Sequence, residues 1–327
     1  MIRLSTCVER WELIEPFATA RDSITHVPVL VARLDAADGH HGWAEAAGVD
    51  YDGETPESMA GELTAIASRL DDGITFEAVQ RLLPAGGARN ALDCALWDLR
   101  AKQHDVPAAH RAGLEPLRPV TTVLTIGLGD EATTRRKARA STAYGMLKLK
   151  VDAERHVDVV RIVREEHPRA RLIVDANQAW SRPLLERLLP QLAALGVELI
   201  EQPLPRGEDA ALDGLRMDLP VAADESCIDR ASLAALDGRY QYINIKLDKC
   251  GGLTEALAMV AEARRRGLGL MVGNMCGTSL AMAPAFLVAQ SCRYVDLDGP
   301  LLQRLDREHP IRFESGLMHA PERTLWG

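Results

Sequence analysis

Several short apolar runs in this 327-residue chain end on charged side chains of a kind that moves protons. Met146-Leu147-Lys148-Leu149-Lys150 carries two lysines, and the two-residue period of a strand puts both on one face and both leucines on the other. Ile173-Val174-Asp175, Leu199-Ile200-Glu201 and Ala222-Ala223-Asp224 each end on a carboxylate. Ile243-Asn244-Ile245-Lys246 ends on a further lysine, and Asp296-Leu297-Asp298 places two acids on one face. Like charges at close range raise one another's pKa unless a cation neutralises them. Oxygen donors without His or Cys suit Mg²⁺, so Asp175, Glu201 and Asp224 are its expected ligands. Salt bridges to the lysines are the competing, lower-ranked expectation. Asp229, Asp248, Lys249 and Glu225 are read mainly as caps or solvated loop residues, with Asn177 and Glu225 backing the ligands.

The elements that position these groups recur regularly. From Val120 onward apolar runs end near Thr125, Lys150, Asp175, Glu201, Asp224, Lys246, Asn274 and Asp298, spaced by 22 to 28 residues. Helical segments lie between them, with expected starts at Asp130, Ser181 and Thr254 and ends at Gly145, Gly196 and Gly267. Eight βα units at that period predict a (β/α)₈ barrel, whose site lies at the carboxyl ends of its strands. Strands two and six are then opposite, so Lys148 and Lys150 face Lys246 with the metal strands along one arc. A carboxylate held by the metal would place its α-carbon between opposed amines, the layout of a racemase or epimerase. Such an α-proton is too weakly acidic for lysine alone, and divalent-metal stabilisation of the ene-diolate must provide much of the difference. Enolase-superfamily sites use this combination of Lys or His base and Mg²⁺. Burial beside a cation is expected to lower the pKa of the lysine base to about 7–8.

The first hundred residues read differently. Antiparallel strands are expected within residues 1–50, including Pro28–Leu34 and Trp43–Ala47, followed by helices over Glu57–Leu70, Phe76–Leu83 and Ala88–Lys102. This predicts an α+β capping domain over residues 1–115, completed by segment 305–327, with the barrel over 116–304.

Bulk properties exclude several alternatives. With 47% apolar and 26% charged residues the chain has the composition of a soluble globular protein. A formal charge of −9 and the lack of a clustered basic face argue against nucleic acid or anionic membrane as partner. The six cysteines show no C-x-x-C pair, so reduced thiols are expected. Arg3, Glu9, Arg10, Glu12 and Glu15 make the N-terminal stretch unlike a signal peptide, which leaves a cytoplasmic enzyme as the default.

The motifs LKLK (147–150), IVDAN (173–177), EQPLP (201–205), ADES (223–226), NIKLDKCGGLTEAL (244–257) and DLDGP (296–300) together resemble the enolase superfamily. The closest likeness is to the dipeptide epimerases of its muconate-lactonizing subgroup, of the L-Ala-D/L-Glu type. The stretch LPAGGARNALDCALWDL (83–99) is similar to the capping domain of that family. The resemblance implies that Lys150 and Lys246 are the acid/base pair and that Mg²⁺ sits on Asp175, Glu201 and Asp224. Lys148 would stabilise the ene-diolate, Thr125 would touch the substrate backbone, and Asp296 and Asp298 would bind the free α-ammonium of a dipeptide. A mobile loop about Phe17–His26 would read the side chain, with Arg21 matching a distal carboxylate. Asn274, Met275 and Cys276 are assigned to substrate contact. For an Ala-Glu substrate the family role is recycling of murein peptides.

Other readings discriminate on the same residues. An o-succinylbenzoate synthase, N-acylamino acid racemase or muconate cycloisomerase would reuse lysines and metal, but its substrate carries no free ammonium for Asp296 and Asp298. A Schiff-base aldolase would need one buried lysine and no carboxylate triad. A non-enzymatic binding protein on this fold is expected to have lost a lysine or a ligand, and none is missing. A small-molecule dipeptide is the expected partner, and a homo-oligomer is left open.

Overall fold

A computed structural model describes residues 2–20, 22–114, 116–216 and 218–327. The chain starts with an antiparallel sheet of β1 (Arg3–Ala18), β2 (Ser23–Asp35) and β3 (His41–Ala46), β2 in the middle. The β1–β2 pairing continues to Phe17–Ile24 and Ala18–Ser23 after a register irregularity past Glu12. The expected loop over Phe17–His26 is therefore mostly hairpin, since its β-branched and aromatic residues extend the strands. Arg21 lies outside the described residues.

Three helices follow, α1 (Pro56–Ile66), α2 (Phe76–Leu82) and α3 (Gly87–Gln103). Thr55 caps α1 in a reciprocal box with Ser58, and Pro56 presets its first turn. Helix α3 buries nearly its whole length, packing on β2 and β3 and on the barrel. A short helix, α4 (Ala108–Arg111), lies in the connection that leads to β4 (Val120–Thr121).

The barrel strands are β5 (Leu124–Ile126), β6 (Met146–Lys150), β7 (Arg171–Asp175), β8 (Val197–Glu201), β9 (Val221–Ala223), β10 (Tyr242–Ile245), β11 (Gly269–Val272) and β12 (Tyr294–Val295). All eight run parallel in sequence order, and Val123 N–H donates to Val295 O, bringing the last strand back to the first segment. The barrel helices are α5 (Glu131–Ala140), α6 (Val157–Glu166), α7 (Arg182–Ala194), α8 (Leu247–Cys250), α9 (Leu253–Arg265) and α10 (Ser279–Ala289).

Asp130 and Ser181 cap α5 and α7 as their sequence suggests. Three local expectations differ from the structure, the first being that α5 ends at Ala140, short of the expected Gly145. Among the described residues after β8 and β9 the chain makes only 3₁₀ turns, Asp209–Leu212 and Arg230–Leu236. Pro205, Gly207, Gly214 and Pro220 break the first of these segments. Helix α9 starts at Leu253, not after Thr254. Its free Thr254 N–H is met across the domain boundary by the Asp93 carboxylate of α3 at 2.9 Å.

The C-terminal segment forms the hairpin β13 (Phe313–Glu314) and β14 (Leu317–Met318), which pairs with β4. Beyond it, the chain lies along the N-terminal elements. Trp43 Nε1 donates to Leu325 O, Trp326 Nε1 to Cys94 O, and Gly327 N to Asp98. No helix among the described residues is long and apolar enough to cross a membrane.

Candidate active site

The two faces of β6 separate as its alternation requires. Leu147 and Leu149 are fully buried in the main apolar core, while Lys148 and Lys150 turn to the carboxylates. Lys148 Nζ lies 2.7 Å from Asp296 Oδ2, 2.9 Å from Glu201 Oε2 and 3.0 Å from Asp175 Oδ2. Lys150 Nζ lies 2.7 Å from Asp175 Oδ2, and Lys246 Nζ 2.8 Å from Asp224 Oδ2. The lower-ranked salt bridges are thus present.

Lys150 ends β6 and Lys246 directly follows β10; β7, β8 and β9 lie between those strands, with the three acids at their carboxyl ends. Both open on a cavity of about 510 Å³ between the barrel mouth and the N-terminal sheet. Phe17, Ile24, His26, Asn274, Met275 and Cys276 share its walls. Lys148, only 1% exposed, lies deeper than these two lysines. A hollow of similar volume around Asp237, Tyr240 and Arg265, at the amino end of the barrel, holds no such lysine and carboxylate set.

The electrostatics are those of a site short of positive charge. Asp175, Glu201, Asp224, Asp296 and Asp298 are all buried, against the ammonium groups of Lys148, Lys150, Lys246 and Lys249. Burial and the neighbouring Asp175 charge push the Glu201 carboxyl up to about 8, although Lys148 touches it. One ammonium shared among three acids does not neutralise them all. Asp175 and Asp224 move the other way, held below the usual range because their adjacent lysines outweigh burial.

The value of about 7–8 expected of a lysine base presupposes a cation beside it; the protein's own groups act in a different direction. Burial favours a lower value for Lys148 and Lys246, but the carboxylates around them win and both are raised.

Oxygen donors on three adjacent strands suit a hard divalent ion in kind. Glu201 Oε2 is buried and, among the described residues, makes no well-aligned hydrogen bond, although Lys148 Nζ lies 2.9 Å away. Among the described residues no three acidic, His or Cys side chains stand together as a ready metal cluster. Here the lysines stand between the acids, and each of the three carboxylates is paired with an ammonium group.

Around this centre, Asp298 Oδ2 accepts the Thr125 N–H at 2.6 Å, and burial beside Asp296 pushes its carboxyl up to about 7. Asn274 Nδ2 donates to Asp296 O, and its Oδ1 accepts Cys276 N–H, which ties the loops after β11 and β12 together. Met275 Sδ is 3.9 Å from Lys246 Nζ. Asn177, Gln202 and Cys276 take positive φ angles of 42°, 33° and 64° near the strand ends, a strained backbone of the kind that clusters at functional sites. Asn177 N–H donates to Asp175 Oδ1, and Glu225 is buried.

Two supporting residues escape a reading of the sequence. Lys249 is no solvated loop residue: its ammonium donates to Asp224 Oδ1 at 2.6 Å and to Asn244 O at 3.1 Å. Asn244 Nδ2 donates to Glu201 Oε1 at 2.9 Å. Asn244 was discoverable, since it lies two residues before Lys246 and shares its face. Lys249 was not, because its reach depends on the turn formed by α8. Asp248 is also buried, accepting Gly48 N–H at 3.0 Å, whereas Asp229 is the helix cap expected of it.

Residues 1–113 match the mandelate racemase / muconate lactonizing enzyme N-terminal domain, and residues 128–324 the enolase C-terminal domain-like family. The chain belongs to the mandelate racemase / muconate lactonizing enzyme family. Within that family it is 41% identical over 313 residues to the L-Ala-D/L-Glu epimerase of Escherichia coli, covering 95% of this chain and 97% of that one. An N-acetyl-D-glutamate racemase of Pseudoalteromonas is 39% identical over 289 residues, 88% of this chain and 91% of its own.

Among solved structures, an enolase family member from Agrobacterium tumefaciens, with sodium and L-Ala-L-Glu bound and an ordered loop, superposes with a TM-score of 0.97. It is 40% identical, with full coverage of both chains. A dipeptide epimerase of Methylococcus capsulatus complexed with Mg and L-Arg-D-Lys has a TM-score of 0.91 at 31% identity, covering 99% of each chain.

Proposed function

We infer that this protein is a Mg²⁺-dependent dipeptide epimerase acting on L-Ala-D/L-Glu, by two-base proton transfer at the carbon next to the C-terminal carboxylate. The observation that carries the reading is the placement of Lys150 and Lys246. They open on one cavity from the ends of strands with three others between them, and Asp175, Glu201 and Asp224 lie at the ends of those three. These three acids are the residues that would hold the ion. When bound, it supplies the positive charge that an α-carboxylate needs as its neighbouring proton departs.

The roles of the chain's own groups follow from position. A neutral Lys150 or Lys246 takes the proton from one face, and the opposite lysine returns one to the other face. Lys148 stays protonated among its acids and faces the negative charge that develops on the carboxylate oxygens. Asp296 and Asp298 receive the α-ammonium of the N-terminal residue, which offsets their mutual repulsion. Thr125, Asn274, Met275 and Cys276 line the substrate, and Asn177 and Glu225 support the metal-binding acids.

The side-chain preference needs a cation. Asp22, Asp50, Glu54 and Glu57 line the same cavity, so an acidic substrate side chain must be met by an opposing charge. Arg21, read from the sequence, provides it with a fork suited to a carboxylate. With that substrate the chain would serve the turnover of murein peptides in the cytoplasm.

The N-acetyl-D-glutamate racemase relative suggests a second substrate class without a free ammonium. Both are tested together by incubating L-Ala-L-Glu, L-Ala-D-Glu and N-acetyl-glutamate in D₂O with Mg²⁺. Label should enter the Glu α-carbon of both dipeptides, stop with a chelator, and enter N-acetyl-glutamate at least tenfold more slowly. Equal turnover of N-acetyl-glutamate would remove the case for ammonium recognition. An unchanged preference for acidic C-terminal residues in Arg21→Ala would remove that for Arg21.

A further inference from the structure

We propose that Arg89, on the capping-domain helix α3, is a positioning residue for Lys246, acting by clamping the turn that carries it. The proposal rests on the two-lysine reading above. Lys246 is the N-cap of the four-residue helix α8, and Cys250 N–H closes back on Lys246 O at 3.1 Å. So short a helix has little stability of its own and takes its geometry from what holds its ends. Its carboxyl end is held from the other domain. Arg89 is buried; its Nη2 donates to Cys250 O at 2.6 Å and its Nε to Gly251 O at 3.2 Å. Free carbonyls at a helix C-terminus favour a cation with several donors.

The turn is shaped to receive this clamp. Gly251 and Gly252 have φ angles of +78° and +110°. A Cβ on Gly251 would lie 2.2 Å from Arg89 Nε, and one on Gly252 2.6 Å from the Cβ of Asp93, also on α3. The amino half of the turn is tied to the same domain through Asp248, which takes the Gly48 N–H and a hydrogen bond from Asn90. Arg89 does not line the cavity. The only catalytic amine on the clamped turn is Lys246. Lys150 sits within β6, held by ladders to β5 and β7. Loss of the clamp should therefore affect the two faces of the substrate unequally.

That asymmetry is the test. Exchange of the Glu α-proton is followed in D₂O from each Ala-Glu diastereomer separately, at saturating Mg²⁺. Lys246→Ala and Lys150→Ala identify which diastereomer each lysine serves. Arg89→Met should slow exchange at least tenfold for the isomer that Lys246→Ala silences, and less than twofold for the other. Arg89→Lys, which keeps a charged donor for Cys250 O, should recover part of the loss with the same asymmetry. If Arg89→Met fails to fold, Arg89→Lys alone must still show the unequal loss. Equal loss on both faces, or none on either, overturns the proposal. Wild-type protein that exchanges neither isomer would instead overturn the epimerase reading on which it rests.

Discussion

Lys249 places its ammonium 2.6 Å from Asp224 Oδ1, while Oδ2 of the same carboxylate is taken by Lys246. The two oxygens are divided between a lysine that opens on the cavity and one that lines only a small side hollow. Lys249 also donates to the main-chain oxygens of Asp224 and Asn244, so it fixes the plane of the acid as well as its charge. Lys249→Met should destabilise the protein by about 1–3 kcal/mol, the cost of leaving Asp224 Oδ1 and the Asn244 carbonyl without a donor while Lys246 still pairs the charge. Mg²⁺ binding, measured by calorimetry, should weaken with it. Wild-type affinity in a folded Lys249→Met variant would show that Asp224 needs no such support.

Gly273 gives Lys246 its room. A Cβ there would come within 2.7 Å of Asn244 Oδ1 and 3.1 Å of Lys246 Cε, both inside the barrel mouth. Gly273→Ala is expected to cost about 1–3 kcal/mol through overpacking. It should also slow exchange on the face served by Lys246 more than on the face served by Lys150. Denaturant unfolding and isotope exchange measure the two effects, and an unchanged exchange rate would mean that the lysine shifts freely.

These dependences mark where a sequence stops being legible. The barrel could be read because eight apolar runs recur at a steady spacing, and alternation alone turned Lys148 and Lys150 away from Leu147 and Leu149. What could not be read were contacts set by two domains together. Asp93 caps a helix 160 residues away, which moved the start of α9 from the position that Thr254 suggested. Asp248 and Lys249 looked like loop residues because their partners, Gly48 and Asp224, lie on other elements. The charge balance around Lys246 was illegible for a related reason: the neighbouring acids reverse the sign that burial alone would give.

Asp298 provides a test of substrate class. Its carboxyl is pushed up to about 7 by burial and by Asp296, with the Thr125 N–H as a fixed donor. A substrate ammonium would restore its ionised form, and a charge-assisted hydrogen bond of this kind contributes about 1.5–3 kcal/mol. Asp298→Asn should lower kcat/KM for L-Ala-L-Glu by about 10- to 100-fold. The slow turnover of N-acetyl-glutamate should change little. Parallel losses on both substrates would show that Asp298 acts on the fold and not on the ammonium.

The same kind of burial gives the protein an unusual dependence of stability on pH. Asp248 is pushed up to about 7 and Asp93 to about 6, in both cases by burial at the domain boundary. A carboxyl whose folded pKa is raised binds its proton more tightly in the folded chain than in the unfolded one. Its cost is complete above the folded pKa and is relieved as pH falls through that value. Between pH 8.5 and 6.5 stability should therefore rise as pH falls, opposite to the behaviour of ion-paired acids. His41 and His156, lowered first of all by burial, work against this only as pH approaches their unfolded value of 6.5. A gain of about 1–3 kcal/mol corresponds to a rise in Tm of about 2–5 °C. Asp248→Asn keeps an acceptor for Gly48 but cannot ionise, so it should be the more stable protein at pH 8.5 and show a flatter profile. Identical Tm profiles for the two proteins would mean that Asp248 titrates as an ordinary exposed acid.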